Sequence, residues 1–471
     1  MCSVFGCTTN GVVEKLRISG LVTRLINNST IRGRDGLGVY FTHVEASDDR
    51  TRLVTTHKVD SLGFHTLVQR ASEIAMKAQA FTMIGNARAE PTTEWVKDKS
   101  NNDQQPYKLG GWTIVHNGTI ANDKDLRTCD YPSNIDSAAI VERLAVMKCY
   151  DGMHQEELYA HFIGVVKRLK GSYAILAVHE KAPGVIFTAC NYRPLWWGKN
   201  GAGLFIASEA RMLPGDTIPQ MIEPYTCNVV SYNLGIRHTY HLIEAPESTY
   251  KRKALVIASG GMDSTVAAQM CLTSEMDVTL INFQYGCRAE SNELKAIRAI
   301  ATRMDVPLVL FPIPIYDPKD SPLFDVNAEI AGGEAGAEFA HEWVPARNLV
   351  MLAVATAYAE ANGFDYIVLG NNLEEAGAYP DNEPEFINRF NSLLPFAVGD
   401  GKRVRVLMPV GNLMKHEIVA AGLAHGAPLD LTWSCYRNGE HHCGTCGPCM
   451  MRKTAFAISS EPEVIKYQNE V

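Results

Sequence analysis

The stretch ALVIASGGMDSTVAAQ, residues 254–269, is the most informative one for the fold of the second half of the chain. It begins with a near-continuous apolar run, which is typical of a strand buried on both faces. Two adjacent glycines follow, and glycine lets the backbone approach a phosphate closely where a helix begins. The stretch therefore predicts a strand, a phosphate-binding turn and a helix, although an ordinary tight strand-to-helix turn has a similar pattern. The candidate phosphate-binding residues are Ser259, Gly260, Gly261, Ser264 and Thr265.

The same turn matches one class of nucleotide-binding loop and differs from another. It lacks the lysine of G-x-x-x-x-G-K-[ST], so it is not a Walker loop. It resembles S-G-G-x-D-S, the pyrophosphate loop of enzymes that cleave ATP between the α and β phosphates, with Asp263 at the acidic position. This resemblance implies that ATP is a co-substrate, with Mg²⁺ as its counterion, and that the product is an acyl- or imidoyl-adenylate.

The pattern of elements differs between the two halves of the chain. After residue 254, buried strands at 278–283, 308–313 and 366–370 alternate with helical patterns at 289–304 and 347–361, which indicates a doubly wound parallel sheet. The first half shows short alternating β segments, which indicate antiparallel sheets with helices packed on them. Its helical patterns fall near 14–28, 64–78, 135–147 and 155–170, and the charged stretch EAPESTYKRK at 244–253 marks the predicted boundary.

Composition limits the class of protein. The chain has 471 residues, of which 46% are hydrophobic and 20% charged, as in ordinary globular proteins. It contains no apolar run approaching the ~20 residues of a membrane span and no signal-peptide pattern, so we expect a cytoplasmic protein, in the host cytoplasm if the source is viral. The net charge of −8 argues against nucleic acid as a partner without excluding it, and allows a homodimer.

The sequence MCSVFGCTTNG at the start of the numbering places Cys2 directly after a methionine. Removal of that methionine would leave an α-amine with a pKa of about 7.7–8.0 beside the thiol, and this amine could serve as its base. A cysteine in this position can also be a terminal residue without a role. Three motifs lie at longer range: Arg88 follows an apolar strand, Asn117 and Gly118 stand at a strand-to-turn junction, and Asp136 stands at a helix start.

Taken together and in this order, these residues resemble the class II, N-terminal-nucleophile glutamine amidotransferase domain. The resemblance implies an αββα sandwich over residues 2–245 that hydrolyses glutamine to glutamate and ammonia. It implies that Cys2 attacks the substrate amide, while the Asn117 side chain and the Gly118 N–H hold the oxyanion. Arg88 would pair with the substrate α-carboxylate and Asp136 with its α-ammonium.

The stretch TWSCYRNGEHHCGTCGPCMMR, residues 432–452, holds four of the twelve cysteines. Clustered thiolates that include a C-x-x-C pair are typical of a closed, structural Zn²⁺ site in a reducing compartment. His441 and His442 are competing ligands, and a redox C-x-x-C is the other interpretation. The predicted zinc ligands are Cys435, Cys443, Cys446 and Cys449.

Further motifs in this half resemble the 7-cyano-7-deazaguanine synthase family of queuosine biosynthesis. They are SGGMDSTV, FQYGCRAESNEL, VPARNLVMLAVATAYAE, GAYPDNEPEFINRFN and the cysteine segment, and they imply a synthase domain over residues 250–471. That family converts 7-carboxy-7-deazaguanine to the nitrile with ammonia and ATP, through two adenylations. By family position, the candidate acceptor-binding residues are Arg347, Asn348, Glu374, Tyr379 and Asp381. Arg347 and Asn348 could instead cap the helix that follows them.

One departure from the family pattern leaves the acceptor open. The family reads D-[YF]-S-G-Y-P-D-C-R where this chain reads EAGAYPDNE, so Asn382 and Glu383 replace a Cys-Arg pair. Fused proteins of this kind are also associated with conversion of the nitrile to a formamidine, as in archaeosine, on a free base, tRNA or DNA. The remaining alternatives are an asparagine synthetase, which lacks the cysteine cluster, and a partner-binding protein with an inactive glutaminase.

Overall fold

A computed structural model gives the fold of the chain. It describes residues 2–9, 15–43, 50–59, 61–77, 80–89, 100–147, 153–243, 251–325, 327–330, 342–376, 379–399 and 404–468. The chain divides into two compact units, Met1–Glu244 and Ala245–Val471. Most of the predicted boundary at 244–253 lies outside the described residues. No described helix is long and apolar enough to cross a membrane.

The first unit contains two antiparallel sheets. The seven-stranded sheet has the order β11-β9-β10-β1-β4-β2-β3 and the six-stranded sheet has the order β13-β12-β8-β7-β6-β5. The strands are β1 (Ser3–Thr9), β2 (Gly36–His43), β3 (Arg50–Thr55), β4 (Phe81–Arg88), β5 (Tyr107–Leu109), β6 (Trp112–Ile120), β7 (Gly171–His179), β8 (Val185–Cys190), β9 (Trp196–Lys199), β10 (Gly203–Ala207), β11 (Gln220–Met221), β12 (Thr226–Ser231) and β13 (Gly235–His241). The helices are α1 (Lys15–Ser29), α2 (Leu62–Lys77), α3 (Asp123–Leu126), α4 (Ala138–Ala145) and α5 (Gln155–Val166).

Side-chain alternation along the strands separates this unit into four layers. In β1, Phe5 and Cys7 pack in a core shared with α1 and α2, whereas Val4 faces a core shared with the six-stranded sheet. Successive side chains of a strand point to opposite faces, so one strand serves both cores. On the far side, α4 and α5 cover the six-stranded sheet. The unit is therefore the expected αββα sandwich.

The second unit is built on a five-stranded parallel sheet. Its order is β16-β15-β14-β17-β18, so the chain starts in the middle and reverses direction between β14 and β17. Ligands bind at the carboxyl ends of the strands where such a sheet reverses. The strands are β14 (Lys253–Ile257), β15 (Asp277–Gln284), β16 (Leu308–Pro312), β17 (Tyr366–Val368) and β18 (Arg405–Leu407); the helices are α6 (Met262–Thr273), α7 (Glu290–Met304), α8 (Arg347–Asn362), α9 (Leu373–Ala376), α10 (Pro384–Ala397), α11 (Lys415–His425) and α12 (Gly447–Ser459).

Helices cover both faces of this sheet. Val256 of β14 packs with α6, α7, α11 and α12, whereas its neighbour Leu255 packs with α8 and α10. Both faces are buried, which explains why the strands read as continuous apolar runs. The predicted doubly wound parallel sheet is confirmed.

Candidate active sites and cysteine cluster

The turn after β14 owes its shape to glycine. Gly260 has φ +91°, and a Cβ at this position would lie 2.9 Å from the backbone oxygen of Glu293. Gly261 is the N-cap of α6, and its carbonyl accepts hydrogen bonds from the hydroxyls of Ser264, at 3.3 Å, and Thr265, at 2.7 Å. The first turn of α6 begins here, and the backbone N–H groups of a first helical turn can donate hydrogen bonds to a bound anion. This arrangement suits a phosphate.

A cavity of about 240 Å³ opens at the carboxyl ends of the strands, beside this turn. Four predicted ATP-binding residues line it, namely Ser259, Gly261, Asp263 and Ser264. Gly260 and Thr265 belong to the same turn but do not line the cavity. Of the predicted acceptor-binding residues, Arg347 and Asn348 line the same cavity. The structure thus brings the loop and the start of α8 to one site.

The other three predicted acceptor-binding residues do not line this cavity. Glu374 accepts a hydrogen bond from the backbone N–H of Lys415, at 2.7 Å, and Asp381 accepts one from the backbone N–H of Asn348, at 3.2 Å. Tyr379 stacks on Trp343 with ring centroids 6.3 Å apart. In this arrangement the carboxylates of Glu374 and Asp381 hold the starts of α11 and α8, so they support the cavity from outside.

The divergent Asn382 fills an internal position. Its Oδ1 accepts a hydrogen bond from Asn348 Nδ2 at 2.7 Å, and its own Nδ2 donates to Glu375 Oε2 at 3.4 Å. The side chain is buried, so both ends of the amide are satisfied within the protein. Glu383 is exposed at the N-cap of α10. Residues 377–378, which precede Tyr379, lie outside the described residues.

Lys415 is a cavity residue that the sequence analysis did not identify. Its Nζ contacts Asp263 Oδ2 and donates to Glu375 Oε1 at 2.7 Å. Burial alone would lower the pKa of Lys415, but the two carboxylates together raise it above its ordinary value. One cation therefore holds two acids at the loop. The nearby signal in the sequence was Glu417, whose carboxylate accepts from the Met414 N–H at 2.8 Å, but an acid in the first turn indicates a helix start and not a site.

Two further cavity residues were also missed. Asn371 follows β17, and its buried Nδ2 has no hydrogen-bond partner among the described residues. Glu293 lies on α7 within a motif that carries the family resemblance, but the motif does not show which side chain faces the cavity. Burial raises the pKa of Glu293 to about 7, although the charge of Arg347 opposes this.

In the first unit, Cys2 and Arg88 lie at neighbouring strand ends. Ser3 of β1 pairs with Ala87 of β4, which sets the residues on either side of that pair next to each other. The Cys2 thiol donates to the Ala89 carbonyl at 3.5 Å. Arg88 is buried and its Nη1 donates to the Asp103 carbonyl at 2.7 Å. Cys2 and Arg88 thus lie at adjacent ends of two paired strands.

Asn117 and Gly118 lie on β6 in the other sheet. The buried Asn117 Nδ2 has no hydrogen-bond partner among the described residues, although an unpaired buried donor is costly. Gly118 has φ +150°, and a Cβ there would lie 1.9 Å from the Ser172 carbonyl oxygen. The Gln105 side chain fixes the preceding residue, because its Oε1 accepts from the His116 N–H at 2.5 Å and its Nε2 donates to the His116 carbonyl at 2.9 Å. The donor of Asn117 is therefore held ready on a fixed strand.

Asp136 precedes α4, and its Oδ2 accepts a hydrogen bond from the Ile120 N–H at 2.6 Å. Tyr107 shares a hydrogen-bond acceptor with Arg88. Its hydroxyl donates to the Asp103 carbonyl at 3.0 Å, the same oxygen that Arg88 contacts. Burial raises the pKa of Tyr107, and the charges of Arg88 and Asp136 both act on it. Arg88 and Tyr107 are therefore held by one backbone oxygen.

The four predicted zinc ligands converge on a single point. Cys435, Cys443, Cys446 and Cys449 are buried, and their Sγ atoms all lie within 4.8 Å of one another. The pairs Cys443–Cys449 and Cys435–Cys446 are separated by 4.0 and 3.9 Å. Four sulfurs at about 2.3 Å from a tetrahedral ion stand ~3.8 Å apart, so the cluster fits a metal ion of this kind.

The surroundings of the cluster also favour thiolates. Backbone N–H groups point at two of the sulfurs: those of Arg437 and Cys443 at Cys435 Sγ, and those of Thr445 and Cys446 at Cys443 Sγ, at 3.3–3.4 Å. His442 is engaged elsewhere, because its Nε2 accepts from the Ser434 N–H at 2.9 Å and its ring packs on Trp433. Neither His441 nor His442 belongs to the described cluster of metal-binding groups.

Two sets of features identify the class of protein. The first unit is an αββα sandwich with Cys2 and Arg88 at neighbouring strand ends, and the second is a parallel sheet with a glycine turn and a cysteine cluster. The chain is a fusion of an N-terminal-nucleophile glutamine amidotransferase domain with a pyrophosphate-loop synthase domain. Family comparison agrees, since residues 92–215 match a glutamine amidotransferase domain and residues 253–460 match the queuosine biosynthesis protein QueC.

Full-length relatives identify the family. Proteins named 7-cyano-7-deazaguanine synthase 2 in Sulfurisphaera tokodaii and 7-cyano-7-deazaguanine synthase in Saccharolobus solfataricus are 38% and 40% identical, over 100% of both chains in each comparison. The synthase of Methanothrix thermoacetophila is 42% identical over 46% of this chain and 99% of its own. The chain belongs to the 7-cyano-7-deazaguanine synthase family.

Among solved structures, a glutamine phosphoribosylpyrophosphate amidotransferase from B. subtilis aligns over 100% of this chain and 99% of that chain, with 14% identity. The TM-score of this comparison is 0.37.

Proposed function

We propose that the chain uses glutamine and ATP to convert 7-carboxy-7-deazaguanine to 7-cyano-7-deazaguanine, with residues 2–245 as the glutaminase domain and residues 250–471 as the synthase domain. The observation that carries this proposal is the cavity that holds both the pyrophosphate-type loop and the guanidinium of Arg347. A loop of this type suits the phosphates of ATP, and a planar guanidinium suits a carboxylate substrate.

The reaction then follows in two activations. The acceptor carboxylate attacks the α-phosphorus of ATP and expels pyrophosphate, and ammonia displaces AMP from the acyl-adenylate to give the amide. The amide oxygen attacks a second ATP, again expelling pyrophosphate. Loss of AMP together with the protons on nitrogen leaves the nitrile. The loop and Lys415 would hold the phosphates through both activations, because the charge on the leaving pyrophosphate must be stabilised each time.

The glutaminase residues act as the family resemblance implies. The Cys2 thiolate attacks the glutamine amide with its α-amine as base, once the preceding methionine is removed. The Asn117 Nδ2 and the Gly118 N–H stabilise the oxyanion, and the unpaired state of that Nδ2 among the described residues supports this role. Arg88 binds the substrate α-carboxylate and Asp136 its α-ammonium.

The proposed ions are Zn²⁺ and Mg²⁺. Cys435, Cys443, Cys446 and Cys449 would hold Zn²⁺ in a closed shell, which ties the C-terminal segment to the sheet and adds to folding free energy. Mg²⁺ would accompany ATP near Asp263, whose buried Oδ1 has no hydrogen-bond partner among the described residues. Carboxylate and phosphate oxygens are the ligands that this ion prefers.

Mass spectrometry of products tests the proposal. The protein, stripped of its initiator methionine, is incubated with glutamine, ATP and either the acid or the nitrile. The proposal expects the nitrile from the acid and no product from the nitrile. Formamidine made from the nitrile would support the second candidate, which the replacement of Cys-Arg by Asn382 and Glu383 favours. A free base is the expected acceptor because the net charge of −8 disfavours binding to nucleic acid. Samples with tRNA or duplex DNA as the acceptor are run in parallel to test this.

A further inference from the structure

Glu293 is fixed beside the loop but is not part of it. The backbone oxygen of Glu293 lies where a Cβ on Gly260 would contact it at 2.9 Å, so this turn of α7 packs directly on the glycine turn. The side chain extends to the wall of the cavity, where Cys287 Sγ lies 3.7 Å from its Oε2. The same residue thus packs its backbone on the glycine turn and contributes its side chain to the cavity wall.

Three carboxylates line the cavity among the described residues: those of Asp263, Glu293 and Glu375. Lys415 forms an ion pair with Asp263 and with Glu375. Glu293 has no ion pair of this kind within the described part of the chain. It is thus the one cavity carboxylate not held by a lysine in the described residues, and the one best able to exchange a proton during a reaction.

The proposed reaction requires such a group. Addition of ammonia to the acyl-adenylate gives an –NH₃⁺ adduct, and this adduct must lose a proton before AMP departs. In the second activation, the adenylated amide carries =NH₂⁺. It becomes a nitrile only when both N–H bonds break, as the carbon–oxygen bond to AMP breaks and the C≡N bond forms. A proton acceptor is therefore needed at the C7 substituent in both halves of the reaction.

We propose that Glu293 is this proton acceptor, a catalytic residue that takes protons from the nitrogen attached at C7 and passes them to water. This inference rests on the proposed function of the cavity. The carboxylate accepts one proton, releases it to solvent through the cavity, and accepts the next, while the electron pair of each N–H bond stays on nitrogen. AMP leaves with the oxygen that came from the acceptor.

The charge state of Glu293 suits this role. Burial raises its pKa to about 7, against the charge of Arg347, and Cys287 and Glu290 also act on it. A general base is most effective when its pKa lies near the working pH. The groups that face it are Arg347 from α8, Cys287 and Tyr285 from the segment before α7, and Glu290 from α7 itself.

The test feeds the 7-amide and ATP to the full chain, so that only the second activation is measured. In a single turnover, with protein in excess over amide, we expect Glu293→Gln to release pyrophosphate within about threefold of the wild-type rate, but to form the nitrile 10²–10⁴-fold more slowly, the range for loss of a general base. When the acid is supplied with glutamine and ATP, the amide and the nitrile should both form more slowly than in the wild type, because both halves of the reaction need the proton acceptor. Glu290→Gln is the matched control, because Glu290 does not line the cavity and its carboxylate accepts from the Gly286 N–H at 2.6 Å.

The pH profile gives an independent measurement on the wild-type protein. Because the carboxylate must be ionised to accept a proton, nitrile formation from the amide should decline as the pH falls through about 7. Nitrile formation by Glu293→Gln at the wild-type rate, or a raised KM for the amide with unchanged kcat, would overturn the proposal. A wild-type profile that is flat between pH 6 and pH 8 would overturn it even if the variant does not fold. Failure of the wild-type protein to make amide or nitrile from the acid would instead contradict the proposed function.

Discussion

Asn117→Ala separates an oxyanion-binding role from a structural one. Asn117 is buried, and its Nδ2 has no hydrogen-bond partner among the described residues. If this donor waits for the oxyanion, its removal should lower kcat for glutamine hydrolysis by 10²–10³-fold, or about 2.7–4 kcal/mol of transition-state stabilisation. Synthesis supported by ammonium in place of glutamine should continue, because the cavity of the second unit is unchanged.

The free energy of unfolding should hardly change. An unsatisfied buried donor costs about 1–3 kcal/mol, and the substitution removes this cost. Truncation also removes a few packed atoms, which opposes the gain by a similar amount. We therefore expect a difference from wild type of less than about 1 kcal/mol in urea unfolding followed by a probe of the first unit.

Asn228→Ala is the matched control. Asn228 is equally buried in the same unit, but its Nδ2 donates to Thr226 Oγ1 at 2.9 Å and its Oδ1 accepts from Thr239 Oγ1 at 2.8 Å. Its removal should cost about 1–2 kcal/mol of stability, with glutamine hydrolysis within about threefold of wild type. An oxyanion-binding role for Asn117 is contradicted if Asn117→Ala loses more stability than the control, or if it hydrolyses glutamine at the wild-type rate.

The remaining predictions concern the nucleophile, the metal, the lysine and the coupling of the two activities. Cys2→Ala should abolish glutamate release yet keep ammonium-supported synthesis, and unchanged glutamate release would exclude Cys2 as the nucleophile. Cys446→Ser should release zinc, measured by elemental analysis, and lower folded yield, whereas the exposed Cys129→Ser should do neither; folded wild-type protein without zinc would contradict this. Lys415→Met should lower the rate of ATP–pyrophosphate exchange at least tenfold and the free energy of unfolding by about 2–4 kcal/mol. This loss is below the usual maximum for a broken buried ion pair because the Glu375 side chain is 32% exposed. An unchanged exchange rate would contradict the role of Lys415. Glutamate release should rise when ATP and the acid are added, since uncoupled hydrolysis wastes glutamine, and a rate that ignores both would show that the two activities are independent.

The layers of both units could be predicted because periodicity reports burial directly. The strand at 254–257 reads as a continuous apolar run because α6 and α8 cover its two faces. The predicted helix at 289–304 is observed at Glu290–Met304 for the same reason, since one face carries the apolar side chains. The strands of the antiparallel half could also be predicted, because successive side chains of β1 alternate between two cores.

The cavity wall could be predicted only in part, because proximity to a motif does not give the direction of a side chain. Glu374 and Asp381 stand in a family motif, but their carboxylates bond backbone N–H groups at helix starts. Lys415 comes from a segment about 150 residues after the loop, and only folding brings it to Asp263. The assigned roles of all these residues stay predictions until variants are measured.

The choice between acid and nitrile as acceptor turns on which cation faces the cavity. Glu383 stands where the family has arginine after cysteine, and its side chain is exposed. The side chain of the adjacent Asn382 forms hydrogen bonds with Asn348 and Glu375. This departure therefore removes no cation from the described wall, where Arg347 lies with one hydrogen bond, to Tyr285 Oη at 3.4 Å. Two other cations of the described wall, Lys415 and Arg452, are already paired with carboxylates. A third, Arg288, donates to the Ala328 carbonyl at 2.8 Å. Arg347 is therefore the cation best placed to receive a negative charge. A carboxylate substrate would pair with the Arg347 guanidinium, whereas a neutral nitrile would leave this charge unpaired. Burying an unpaired charge is unfavourable. The electrostatics of the wall thus favour the acid, and they set Arg347, which would hold the carboxylate, beside Glu293, which would take the protons as the nitrile forms.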